Sequence, residues 1–205
     1  MPGFLQEIYV PMRISPHAVE RVIQRSGVVD LPVSQADMQA TLTYYSKNAE
    51  AIAARYESVT SSLSNSFKDA FSPQSKLLDI GCGSGRDLAL LASLGHDCFG
   101  VDATPEFVAL SHSLHSQLQG KVLQATLPNF SPPFGGEFDS VLCSAVLMRV
   151  AEKELPQSAV SIKRCLKKSG RLRMASKVLK FRFFIVIKYK VNLICTDFEE
   201  VFNRT

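Results

Sequence analysis

The chain has 205 residues, 46% of them hydrophobic and 20% charged, with a formal net charge of +4. That length suits one domain with an appendage, and the composition is that of an ordinary globular protein, not a disordered chain. No apolar stretch reaches the roughly 18 residues needed to span a bilayer, and the N-terminus MPGFLQEIYVPMR lacks the basic start and apolar core of a secretory signal, so a cytoplasmic location with no membrane contact is expected.

Residues 1–37 read as an N-terminal extension, with a helix-like piece, HAVERVIQRSG, followed by the loop VVDLPVS. Ser34 can cap a helix entering at Gln35. From there to about Phe71 the pattern is mostly helical, because Tyr45, Ala49, Ile52, Ala53, Tyr56 and Val59 recur at three- and four-residue spacings. Ser72-Pro73 ends it. An alternation of short apolar strands and helices follows. KLLDI is a strand and RDLALLASLG a helix. CFGVD is a second strand, and PEFVALSHSLHSQLQG a helix with Pro105 in its first turn. KVLQAT is a third strand, and FDSVLCSAV, after a proline-rich loop, a fourth. A helix over about Glu152 to Lys167, a turn at Gly170 and a strand RLRMAS close the series. Strand-helix-strand repetition predicts an α/β, Rossmann-like doubly wound fold, its sheet mainly parallel with helices on both faces.

The stretch LLDIGCGSGRD, from Leu77 to Asp87, lies at the end of the first strand, where open parallel sheets bind ligands. Gly81, Gly83 and Gly85 allow a tight bend and close approach of backbone to a ligand. The helix beginning near Arg86 directs free N–H groups there. Asp102 ends the next strand, about twenty residues on, where a carboxylate can accept hydrogen bonds from the cis hydroxyls of a ribose. A turn without ligand, a dinucleotide site, a phosphate loop and a seat for another nucleotide-like cofactor all begin this way. The third glycine is one position early for G-x-G-x-x-G, and no G-K-[ST] triplet exists. Asp79 would repel a pyrophosphate but suits a ligand carrying an amino group and a sulfonium.

LLDIGCGSGRD with GVDAT downstream resembles the first two motifs of class I S-adenosylmethionine-dependent methyltransferases, in particular the small bacterial methyltransferase domains. The resemblance covers Met38 to Ser176 and continues in YYSKNAEAIAARYESV, FDSVLCSAVLMRV and LKKSGRL. It implies a domain over 38–176 that binds S-adenosylmethionine and releases S-adenosylhomocysteine. It also implies a set of site residues. Asp79 and Gly81 would lie near the methionine amino group, Cys82 and Gly83 against the cofactor, Asp102 on the ribose and Ala103, Thr126 and Leu127 around the adenine. Cys143 and Ser144 would line the methyl end, and Tyr45 would approach the methionine carboxylate.

Three departures accompany the resemblance. Ala125-Thr126-Leu127-Pro128 stands where the family often has an acid, D-x-L-P, and Arg149 stands where it often has a histidine, so no general base can be named. After Ser176 the family continues for some fifty residues and completes a seven-stranded sheet. Here residues 177–205 are expected to form an atypical basic tail and leave the C-terminal strand pair incomplete, with one long strand over 181–195. Eleven Lys or Arg and no acid fall between Lys163 and Lys190, which also fits contact with nucleic acid. Ser131-Pro132-Pro133-Phe134 is the tetrapeptide type of amino-methylating DNA methyltransferases, but it precedes the fourth strand instead of following it.

The five cysteines, Cys82, Cys98, Cys143, Cys165 and Cys195, are odd in number and never spaced C-x-x-C, which argues against a disulfide framework and a zinc site. His112 and His115 have no nearby acid or thiol partner, so no metal is expected. The expected activity is methyl transfer to a small-molecule acceptor. A non-catalytic cofactor-binding domain and a nucleic-acid methyltransferase remain as alternatives.

Overall fold

A computed structural model describes residues 35–175 and 193–195. The expected N-terminal extension and basic tail therefore lie almost wholly outside the described residues, as does most of the strand expected over 181–195. Three helices precede the sheet: α1 (Gln35–Lys47), α2 (Ala49–Glu57) and α3 (Ser64–Ala70). Strands and helices then alternate as β1 (Lys76–Ile80), α4 (Arg86–Ser93), β2 (Asp97–Asp102), α5 (Pro105–Leu114), β3 (Val122–Gln124), β4 (Phe138–Ser144), α6 (Leu155–Cys165) and β5 (Leu166–Ala175). A sixth strand, β6 (Leu193–Cys195), completes the described elements.

The sheet runs in the order β3-β2-β1-β4-β5-β6, with every neighbouring pair parallel. The chain builds outward from β1 through β2 to β3, then crosses to β4 on the other side of β1. That reversal opens a crevice beyond the carboxyl ends of β1 and β4.

Alternate residues of each strand feed two cores. Leu78 and Ile80 of β1, Val141 and Cys143 of β4 and Leu172 and Met174 of β5 pack under α6, against Leu155, Ala159 and Ile162. Leu77 and Leu142 face the other side, with Phe67 and Phe71 of the α3 segment and Leu88 and Leu91 of α4. Burial on both faces is why these strands read as near-continuous apolar runs. A third, smaller cluster joins Ala49 and Ala53 of α2 to Phe107 of α5 and fixes the cover helices to the sheet domain.

Two boundaries differ from expectation. The helix expected through Lys167 ends at Cys165, and the chain enters β5 at once, pairing Leu166 with Phe138 before the register jumps to Arg171 opposite Ser140. Gly170 is thus part of an irregular strand and not a separate turn. A Cβ there would stand 2.7 Å from the Phe138 carbonyl oxygen, so only glycine lets the strand lie this close to β4.

The Ser131–Phe134 tetrapeptide sits at the amino end of the sheet, opposite the crevice. Phe134 packs on Phe99 with ring centroids 4.7 Å apart, and the Lys76 Nζ donates to the Phe134 and Gly136 carbonyls at 3.1 and 2.7 Å. Its role there is packing.

Phe138 is fully buried, meets Phe99 edge to face, and lies under the Lys76 ammonium at 4.6 Å. Phe138→Ala is expected to lower unfolding free energy by about 3–5 kcal/mol through the cavity it leaves, as read from the urea midpoint at unchanged m-value.

Candidate functional site

A cavity of about 390 Å³ opens at the crevice. Its floor is the carboxyl ends of β1, β2 and β4 with residues 125–127 after β3, and α1 and α2 cover it. Met38, Thr41, Leu42 and Tyr45 line it from α1. Their spacing of three, four and seven places them on one helix face.

The glycine turn leaves β1 with Gly81 at φ +76° and Gly83 at φ +57°, both in the left-handed region that penalises any side chain. The Gly81 and Cys82 N–H groups donate to the Val101 carbonyl at 2.7 and 3.2 Å, extending the link between β1 and β2 past the ends of the strands. The two glycines serve different purposes. A Cβ on Gly81 would strike Val146 Cγ2 at 2.3 Å, so this position lets the loop after β4 close against the turn. A Cβ on Gly83 would meet nothing within 4 Å, which leaves its peptide open to a ligand.

Asp102 holds the turn in place. One carboxylate oxygen accepts from the Gly83 N–H at 2.9 Å, and the other accepts from the Thr104 N–H at 2.9 Å. Burial raises the Asp102 pKa, and these backbone hydrogen bonds work against the rise.

Asp79 is more extreme. It is buried, its Oδ1 has no hydrogen-bond partner among the described residues, and burial pushes its pKa well up, with the Asp87 and Asp102 carboxylates adding to the rise. An anion in that position calls for a cationic partner. A ligand ammonium fits this donor-poor, acid-rich end of the cavity, as do ribose hydroxyls at Asp102.

The cover helices are tied to the turn by polar contacts. Ser84 Oγ donates to Glu57 Oε1 at 2.7 Å, and His115 Nε2 lies 3.3 Å from the same oxygen. Arg86 Nη1 donates to the Tyr56 and Val59 carbonyls at 3.1 and 3.3 Å, while its Nε donates to Asp87 Oδ1 at 2.9 Å. Tyr45 packs on Phe107, with centroids 6.0 Å apart, beneath the Arg149 guanidinium at 5.1 Å. Burial raises the Tyr45 pKa, and Arg149 opposes this.

Of the residues singled out from the sequence, Tyr45, Asp79, Gly81, Cys82, Gly83, Asp102, Ala103, Thr126, Leu127 and Ser144 all line this cavity. Cys143 does not. It is buried in the core under α6 with Val141, because strand alternation turns residue 143 away from the crevice that Ser144 reaches. Its thiol is pushed up to about 12 by burial, and Cys98 likewise to about 12, so neither supplies a thiolate near neutrality.

Other wall residues were not anticipated: Met38, Thr41 and Leu42 on α1, and Val146, Arg149 and Val150 after β4. The helical spacing back from Tyr45 was the available signal for the first three. Arg173, one of the basic residues considered for nucleic-acid contact, is buried with its guanidinium 5.8 Å from the Phe71 ring, and so is not part of an exposed basic face. Among the described residues no group of three His, Cys, Asp or Glu is placed to hold a metal, and no helix is long and apolar enough to cross a membrane.

Residues 78–174, just under half the chain, match a family described as a methyltransferase domain. A ubiquinone biosynthesis O-methyltransferase of Xanthomonas campestris is 30% identical over 109 residues, covering 51% of this chain and 44% of that protein. An uncharacterized methyltransferase of Synechocystis is 34% identical over 102 residues, covering 49% of this chain and 46% of that one. The chain thus spans less than half the length of these relatives. Among solved structures, a TehB-like SAM-dependent methyltransferase from Corynebacterium glutamicum superposes with a TM-score of 0.57 at 22% identity, over 74% of this chain and 83% of its own. DhpI in complex with SAH gives 0.54 at 18% identity, over 68% and 69%. Both share the fold.

The raised Asp79 pKa has a stability consequence with a definite sign. A carboxyl that is harder to ionise when folded than when unfolded favours the folded state while protonated, and that advantage is lost as pH rises through its folded pKa. Asp79→Asn keeps the shape without the charge. It is therefore expected to raise the melting temperature of the unliganded protein at pH 7, by an increment that shrinks as the pH is lowered toward the acid range. Calorimetric melting of both proteins across pH measures this.

Proposed function

We propose that residues 78–174, which match a methyltransferase domain, form a class I methyltransferase domain, and that this protein transfers a methyl group from S-adenosylmethionine to a small-molecule acceptor. The observation that carries the reading is Asp79 Oδ1, buried and unpartnered, beside a glycine turn that Asp102 pins from the neighbouring strand. A cofactor with an ammonium at one end and a ribose in its middle satisfies both carboxylates at once.

When bound, S-adenosylmethionine supplies an electrophilic methyl group on a sulfonium. The protein's part is to bind, orient and exclude water. Asp79 would hold the amino group and Asp102 the ribose hydroxyls. The Gly81–Gly83 backbone would admit the ligand without side-chain clashes. Ala103, Thr126 and Leu127 would hold the base. Tyr45 would close the cavity over the cofactor from the cover helix, and Ser144 would line it from the end of β4.

An arginine side chain has donors and no acceptor, so Arg149 takes no proton from the acceptor. An acceptor that reacts as an anion or as a free amine fits such a site. The O-methyltransferase relatives make oxygen the first acceptor atom to test.

Isothermal titration is expected to show binding of S-adenosylmethionine and S-adenosylhomocysteine but not of NAD. Asp79→Asn and Asp102→Asn should each weaken binding by about tenfold to a hundredfold, the range of a hydrogen bond to a charged group. Binding of NAD in place of these ligands, or full affinity in both variants, overturns the reading. Binding with no methylation of any small-molecule acceptor by mass spectrometry overturns the transfer step alone.

Affinity should also fall in acid earlier than an ordinary carboxylate would cause. Protonation of Asp79, whose pKa burial holds well up, removes the partner of the ammonium. A titration series between pH 8 and pH 5 measures this, and the Asp79→Asn variant should show a flatter profile.

A further inference from the structure

One charged side chain of the cavity is used neither by the cofactor assignment nor by an ion pair or hydrogen bond among the described residues. Asp79 and Asp102 are committed to the glycine-turn end, and Arg86 is occupied by Asp87 and by the Tyr56 and Val59 carbonyls. Arg149 lines the same cavity from the turn after β4 and is exposed. Its side chain makes no hydrogen bond or ion pair with any of the described residues. Its guanidinium rests over the Tyr45 ring. An aromatic ring holds a guanidinium by its flat face and leaves the N–H edge free to grip a carboxylate or similar anion.

The walls beside it are apolar. Met38 and Leu42 come from α1, and Val146 and Val150 flank the turn that carries Arg149. These parts are held in register, since the Ala151 N–H lies 3.1 Å from the Met38 sulfur and Val146 is packed against Gly81. A cation at the exposed edge of an apolar wall selects a ligand with matching halves.

Resting on the cofactor assignment above, we propose that Arg149 is a specificity-determining residue that anchors the acceptor: an apolar or aromatic molecule bearing a carboxylate or like anion. Its body lies against Met38, Leu42, Val146 and Val150, and its charge meets the Arg149 N–H edge. The cofactor's own carboxylate is the rival occupant. It is attached to the carbon that bears the amino group, and Asp79, which holds that amino group, is buried at the floor of the cavity while Arg149 is exposed at its rim. The position of the two residues favours the acceptor.

The test uses the full chain loaded with S-adenosylhomocysteine and two probes of one shape, 4-butylbenzoate and its neutral amide, 4-butylbenzamide. By titration calorimetry the acid should bind at least about tenfold more tightly than the amide, the scale of a hydrogen bond to a charged group. Arg149→Gln should erase that preference, leaving the amide and S-adenosylhomocysteine affinities within about twofold of the parent, and Arg149→Lys should restore part of it. A preference that is absent in the parent or survives Arg149→Gln overturns the proposal. So does an Arg149→Gln protein that loses S-adenosylhomocysteine affinity but still binds 5′-methylthioadenosine, which lacks the carboxylate; Arg149 would then serve the cofactor. Failure of the parent protein to bind S-adenosylhomocysteine would instead count against the proposed function, and the acid–amide comparison on the unloaded protein would still read Arg149.

Discussion

Two carboxylates buried at the ends of adjacent strands constrain everything built around them. Asp79, next to last in its strand, carries an oxygen that no donor among the described residues reaches, and Asp102, on the neighbouring strand, is desolvated beside it. Burying like charges together destabilises the folded chain. The architecture tolerates it because the strands that carry them are locked from both faces by apolar cores. It also depends on Asp102 being compensated locally, by the N–H groups of Gly83 and Thr104. Asp79 Oδ1 has no such compensation among the described residues, and this asymmetry is what the proposed cofactor site rests on.

The glycine turn follows from the same constraint. For the Gly83 N–H to reach Asp102, the chain must leave β1 in left-handed conformations and run close under the loop after β4. Gly81 makes room for Val146, and Val146 in turn brings the turn at 147–149, with Arg149, to the rim of the cavity. One backbone choice therefore couples the glycine turn to the Arg149 side of the cavity. The cover helices complete the enclosure through Glu57 and Arg86, whose contacts clamp α2 onto the turn and not onto the sheet.

The alternation of apolar runs with amphipathic stretches was enough to read the parallel sheet, and the first strand was legible to the residue. Asp79, Gly81, Gly83 and Asp102 were legible as one site because strand ends in a doubly wound sheet converge. Cys143 was misplaced for a related reason: its neighbour Ser144 does reach the crevice, and a single step along a strand reverses the face. Arg149 was noticed only as a departure from a family pattern. Its relation to Tyr45, over a hundred positions away, is a contact between α1 and the loop after β4 that no local spacing encodes.

The sequence by itself determined the class of fold, the end of the sheet at which the cavity opens and the acid-rich character of that end, since periodicity, glycine placement and strand-end acids are local properties. Tertiary structure alone decided that one Asp79 oxygen lacks a partner among the described residues while both Asp102 oxygens are hydrogen-bonded, that four residues of α1 form a wall, and that an arginine lies over an aromatic ring at the rim. Each of these depends on which distant segments are brought together and on what is excluded from water when they meet, and burial of that kind is a property of the packed molecule, not of any stretch of chain.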